Sequence, residues 1–127
     1  MWRMRMPALV WVLGTIAACE RTAPEVSFAS EVFPVLEQHC LECHKAETGQ
    51  VGYEASGLSM ETYEDLMTGT RFGPVVLPGD SLGSALSILI EGRADPSISM
   101  PHGDRPSLAQ PQIDAIKTWI DQGANNN

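Results

Sequence analysis

The chain has 127 residues and room for a single core, because independent cores need about 100 to 150 residues. Sixteen acidic residues against eight basic ones give a formal charge of −8. Such a balance repels phosphate backbones and argues against nucleic-acid binding, while suiting basic patches on protein partners.

Residues 1–18, "MWRMRMPALVWVLGTIAA", read as an export signal. Arg3 and Arg5 make a basic start, and the apolar run from Ala8 to Ala18 is too short to span a bilayer. The run ends in Ile16-Ala17-Ala18 before Cys19, the branched-small-small-Cys form of a bacterial lipoprotein signal. The expectation is a lipid on Cys19 and an exported protein on the periplasmic side of a bacterial membrane or at the cell surface. Removing the signal takes two basic residues and no acidic one, moving the formal charge from −8 to −10. With Cys19 lipidated, only Cys40 and Cys43 remain, too close in sequence to staple a useful loop.

The polar stretch 19–27 reads as a tether, and the domain is expected over 28–124 with a frayed tail at 125–127. Four short helices are expected, making the chain all-α. The first, in "SEVFPVLEQHC", takes Ser30 as its cap, tolerates Pro34 in the first turn and delivers Cys40 to its C-terminal end. The second, in "SMETYEDLMTG", takes Ser59 as cap and stops at Gly69. The third runs from Asp80 to Gly92, with Leu82, Leu86, Leu89 and Ile90 apolar. The last spans about Gln110 to Gln122, with Ile113, Ile116 and Ile120 on one stripe and Trp119 alongside, packed toward Phe33 or Leu36. Loops rich in glycine and proline separate them, including "KAETGQVGYEASG" and "RADPSISMPHGDRPS". So thin a helical core suits a large apolar cofactor.

The chemistry centres on "CLECH", residues 40–44. A zinc site needs a second ligand pair, and the other histidines, His39 and His102, do not form one. A redox dithiol wants its first cysteine at a helix N-terminus, whereas Cys40 is expected at a C-terminus. Covalent haem accounts for the spacing. Cysteines three apart can each add across a vinyl group, and the histidine that follows then faces the iron.

With "FASEVFPVLEQHCLECH", "GLSMETYEDLM", "VVLPGDSLGSALS", "SMPHG" and "QIDAIKTWIDQGA" in this order, residues 28–124 resemble small class I cytochrome c domains, particularly the planctomycete type of exported bacterial proteins. The resemblance implies a cytochrome c fold wrapped around one covalently attached haem c, with crossing terminal helices. It implies electron transfer and no enzymatic activity. Two features depart from the family pattern. Ala109 stands where a Ser or Thr usually caps the last helix, so that start is expected to fray or shift, and the Gly-Pro pair that often follows CxxCH is delayed to Gly73-Pro74. A carbonyl of that loop is one candidate acceptor for the second nitrogen of His44.

The expected assignment is therefore Cys40 and Cys43 as thioether attachments, His44 as proximal ligand and Met100 as distal ligand, held by Pro101 beside it. Met60 and Met67 are expected to pack against the haem edge and His39 to point away from the site. Arg71 and Arg93, with Tyr53 or Tyr63, are weaker candidates for the propionates. The expected role is carriage of single electrons between a donor and an acceptor protein, from a membrane anchor. The alternatives are a haem enzyme or a gas or redox sensor with an open distal position, and a thiol-disulfide enzyme with free thiols.

Overall fold

The computed structural model describes residues 23–127, so the expected signal peptide and the expected lipid site at Cys19 lie outside the described residues. Five α-helices and no strand occur among these residues: α1 Phe33–His39, α2 Val51–Ser56, α3 Tyr63–Thr68, α4 Ala85–Ile90 and α5 Gln110–Asp121. A π-helical turn, Phe28–Val32, runs directly into α1, and a 3₁₀ turn, Pro96–Ile98, interrupts the loop after α4.

The first helical segment begins one turn earlier than Ser30. Ser27 is the cap, its hydroxyl accepting from the Ser30 N–H at 3.3 Å. Pro34 has no N–H to give, and the widened turn ahead of it accommodates the missing bond while burying Phe28 and Val32. α3 starts from Thr62, whose Oγ1 accepts from Asp65 N, because Ser59 spends its hydroxyl on Glu61 N in the preceding turn. It stops at Gly69, as expected.

The segment after Asp80 is not helical until Ala85. The Asp80 carboxylate accepts from Gly83 N at 2.8 Å and folds a turn instead, leaving Leu82 69% exposed. The unexpected element is α2. Gly52 within it and Gly49 and Gly57 on either side read as loop, yet Tyr53 N bonds Cys43 O and Gly57, at φ 77°, closes the helix onto Tyr53 O. Tertiary contact with the CLECH turn overrides weak propensity there. α5 starts at Gln110, as expected: Ala109 has no side-chain acceptor, but the Gln112 side chain reaches back to Ala109 N at 2.9 Å.

The core forms where the N-terminal π turn packs across α5, with α4 on another side of α5. Trp119 is 1% exposed and stacks on Phe28 at 5.3 Å, one turn before the expected Phe33 or Leu36, and Tyr63 meets Phe28 edge-on at 5.2 Å. Leu36, Leu66, Ile116 and Ile120 are fully buried around this cluster. Each such side chain contributes about 1.5–3 kcal/mol from burial.

The two ends of the described chain meet, the expected tail at 125–127 lying against residues 25–29. Phe28 N donates to Asn127 Oδ1 at 2.8 Å and Ala29 N to Asn127 O at 2.9 Å. Trp119 Nε1 donates to Asn125 O, and Gln122 bonds both Val26 N and Pro24 O. The tail supplies acceptors for the helix-start amides of Phe28 and Ala29, which have no partner within the helix.

Candidate functional site

α1 carries Cys40 to its C-terminal end, with Cys40 N bonded to Leu36 O at 2.8 Å. The chain then turns once, so that Cys43 N and His44 N both donate to Cys40 O, at 3.1 and 3.0 Å. That single turn brings Cys40, Cys43 and His44 to the wall of one cavity of about 360 Å³. The volume is within the range of small-molecule sites, roughly 300–1,000 Å³. Val51, Gly52 and Ala55 of α2, then Leu58, Met60 and Val75, and Leu86, Leu89 and Ile90 of α4 line it, and the loop after α4 closes it with Ile98, Met100, Pro101, His102 and Arg105. The lining is overwhelmingly apolar.

His44 is 8% exposed, and its Nδ1 lies 3.3 Å from Leu58 O. A carbonyl can only accept, so this contact assigns the proton to Nδ1 and leaves the lone pair on Nε2. Burial holds the imidazole below its ordinary value, against the opposing pull of the Leu58 carbonyl, and the ring is neutral at pH 7. The acceptor thus comes from Leu58 and not from the Gly73-Pro74 loop. α2 covers the ring at Gly52, where a Cβ would fall 2.7 Å from His44 Cε1 and 2.8 Å from Nε2.

Cys40 and Cys43 are free, and burial, reinforced by the neighbouring Cys43, pushes the Cys40 thiol up to about 11. A thiol-disulfide enzyme needs a depressed value at its first cysteine, so the geometry opposes that alternative. Among the described residues no group of three or more His, Cys, Asp or Glu side chains could hold a bare metal ion.

Met60 and Met100 both line the cavity, on different supports. Met60 N bonds His44 O at 2.9 Å and belongs to the segment behind the imidazole, whereas Met100 N bonds Leu89 O at 3.1 Å, on the α4 side. Met67 packs against the hydrophobic core and is not part of the cavity wall.

His39 does line the cavity, against expectation. It is the last residue of α1, beside the cysteine turn, and Gln112 of α5 meets its ring at 3.3 Å. Tyr63 is in the aromatic core, bonded to Ala124 O, and Arg93 pairs with Glu91 and Leu82 O. Arg71 bonds the carbonyls of Tyr53 and Glu54 beside a second, more open depression of about 460 Å³ that contains none of the CLECH residues.

Arg105 is the cavity residue that sequence reading missed. It pairs with Glu42 of CLECH at 2.7 Å, joining the loop after α4 to the cysteine turn. Glu42 and Arg105 are 63 residues apart, and no local pattern joins them.

These residues fit a covalent haem. Two thiols stand one turn apart at an apolar cavity, a neutral imidazole offers Nε2, a thioether stands on another wall, and a glycine leaves the space a Cβ would take. An all-α chain built around such a site has the construction of a c-type cytochrome domain. The family model described as "Planctomycete cytochrome C" matches residues 40–104, just over half of the chain, and the protein belongs to this family. No curated protein matches it, and no solved structure does. Membership makes it a haem-binding protein of the electron-transfer kind, with haem c as the cofactor.

Proposed function

We propose that this chain carries one haem c, fixed by Cys40 and Cys43 and ligated by His44 Nε2 and the Met100 sulfur, and shuttles single electrons between protein partners outside the cytoplasm. The observation that carries the reading is that Cys40, Cys43, His44 and Met100 all line one apolar cavity while Leu58 O holds the imidazole proton on Nδ1. Bound there, the haem iron supplies the one-electron couple. The chain's residues do the rest. Leu58 fixes the tautomer and raises ligand basicity, the α4 and α2 walls exclude water, and the Met100 thioether would hold the iron as its second protein ligand and so deny it to oxygen or peroxide.

An acidic chain of formal charge −8 suits donors and acceptors with basic faces. The N-terminal signal and Cys19 point to export and a lipid anchor. No helix among the described residues is long and apolar enough to cross a membrane.

The axial assignment is tested by the weak far-red sulfur-to-iron absorption band of the ferric protein. Met100→Ala should abolish it and open the iron to carbon monoxide, while Met60→Leu and Met67→Leu should keep it, since such swaps cost little where the side chain only packs. A band lost in Met60→Leu and kept in Met100→Ala moves the ligand to Met60. A native protein that lacks the band and binds carbon monoxide readily is the open-site enzyme or sensor instead.

A further inference from the structure

The two ends of α5 have different neighbours. At its start, Gln112 meets His39 on the cavity wall, at 3.3 Å. At its far end, Gln122 holds the incoming chain, with its Oε1 accepting from Val26 N at 2.8 Å and its Nε2 donating to Pro24 O at 3.0 Å. Ten residues of α-helix separate these points by about 15 Å. The chain therefore enters the domain at the end of α5 opposite the His39 side of the cavity wall.

The 77–84 loop is bound to that same end. Gly79 N donates to Ile120 O at 2.7 Å, and Ser81 donates to both carboxylate oxygens of Asp121, each at 2.8 Å, through its N–H and its hydroxyl. The loop is closed on itself by Ser84 Oγ, which accepts from Leu77 N. It leaves Leu77 38% and Leu82 69% exposed, with Pro78 and Gly79 also exposed between them.

We propose that this loop is a membrane-resting surface, and that it turns the cavity mouth away from the bilayer. The inference rests on the reading of Cys19 as lipidated. From Cys19 to Pro24 the chain can reach at most about 18 Å, so the anchor must hold this end of α5 close to the lipid, and Leu77 and Leu82 are the exposed large apolar side chains on the loop there. The polar groups of the face fix the kind of surface. Asp80, Asp121 and Glu25 lie there against Arg93, which bonds Leu82 O. A net negative face suits a zwitterionic surface and is repelled by an anionic one. The cavity's own exposed apolar residues, Val51 and Ile98, are left open to partner proteins.

Hydrogen–deuterium exchange on the lipidated holoprotein tests this, comparing phosphatidylcholine vesicles with the Cys19→Ala protein in solution, after mass spectrometry of Cys19. The expected result is several-fold slower exchange in 77–83 on vesicles and unchanged exchange in 51–53 and 96–99. Leu77→Ser with Leu82→Ser should remove that protection and leave the haem spectrum unchanged, and phosphatidylglycerol in the vesicles should weaken it. A Cys19 without lipid overturns the anchor and the surface together. A lipidated Cys19 with the 77–83 amides unprotected, or with protection at 96–99 instead, overturns the surface alone.

Discussion

The Nδ1 of His44 and the carbonyl oxygen of Leu58, fourteen residues apart in sequence, meet at 3.3 Å inside the wall of the cavity. Met60 N returns to His44 O at 2.9 Å in the same segment, so the strip 58–60 grips the histidine from both its ring and its backbone. The ring is fixed on three sides: by this strip, by its own turn on Cys40 O, and by α2 at Gly52.

Gly52→Ala tests the third side. Its Cβ would meet Cys43 O and His44 Nε2 at 2.8 Å, and neither the backbone nor the gripped ring can yield cheaply. A loss of about 1–3 kcal/mol in denaturant unfolding is expected, with a disturbed ligand-field spectrum, as for overpacked cores. Gly49→Ala separates this from backbone effects. Gly49 has φ 90° and open space around its Cβ position, so it should lose only about 1–2 kcal/mol and leave the spectrum unaltered.

Ala109→Ser should stabilise the protein. Ala109 is extended at φ −66°, ψ 147°, as a cap residue must be, but has only its backbone carbonyl and no side-chain oxygen to offer the first α5 amides, and Gln112 supplies only the reverse half of the pair. A serine hydroxyl would complete the box, for a gain of about 0.5–2 kcal/mol in thermal or denaturant unfolding. Gln112→Ala should act in the opposite direction.

Glu91 gives the fold a titratable clasp between α4 and α5. Its Oε1 accepts from Lys117 Nζ at 2.5 Å and its Oε2 from Arg93 Nε at 2.6 Å, and the Lys117 bond is the main reason its carboxyl titrates below the ordinary 4.5. A depressed folded value means that the contribution is fully present above 4.5 and is lost as pH falls through the folded value. With the side chain 17% exposed and Lys117 26%, solvent screening limits it to about 0.5–1 kcal/mol. Glu91→Gln should therefore be less stable than wild type at neutral pH and converge with it in acid, as read by urea unfolding across pH.

The sequence reading placed α1, α3 and α5 within a turn and grouped Cys40, Cys43, His44 and Met100, because CxxCH spacing, glycine stops and the Ile113-Ile116-Ile120 stripe are local signals. It missed α2, whose helicity depends on Tyr53 N meeting Cys43 O, a contact no local pattern encodes. It extended α4 back to Asp80 because apolar periodicity ignores the competing side-chain turn onto Gly83 N. His39 lines the cavity from the last turn of α1, where Gln112 of α5 meets its ring, and Arg105 reaches it because a distant loop returns to Glu42. Residues set by long-range closure are the ones periodicity cannot see.

The central claim is that Cys40 and Cys43 hold a haem covalently. Mass spectrometry of the denatured, purified chain, followed by sequencing of the peptide that contains residues 40–44, tests it most directly. The account predicts one haem per chain retained through denaturation, both cysteines blocked to alkylation, and loss of the haem with an unfolded chain in Cys40→Ala with Cys43→Ala. Two alkylatable thiols at Cys40 and Cys43 in a chain of unmodified mass, from cells that attach haem to other c-type cytochromes, would contradict it.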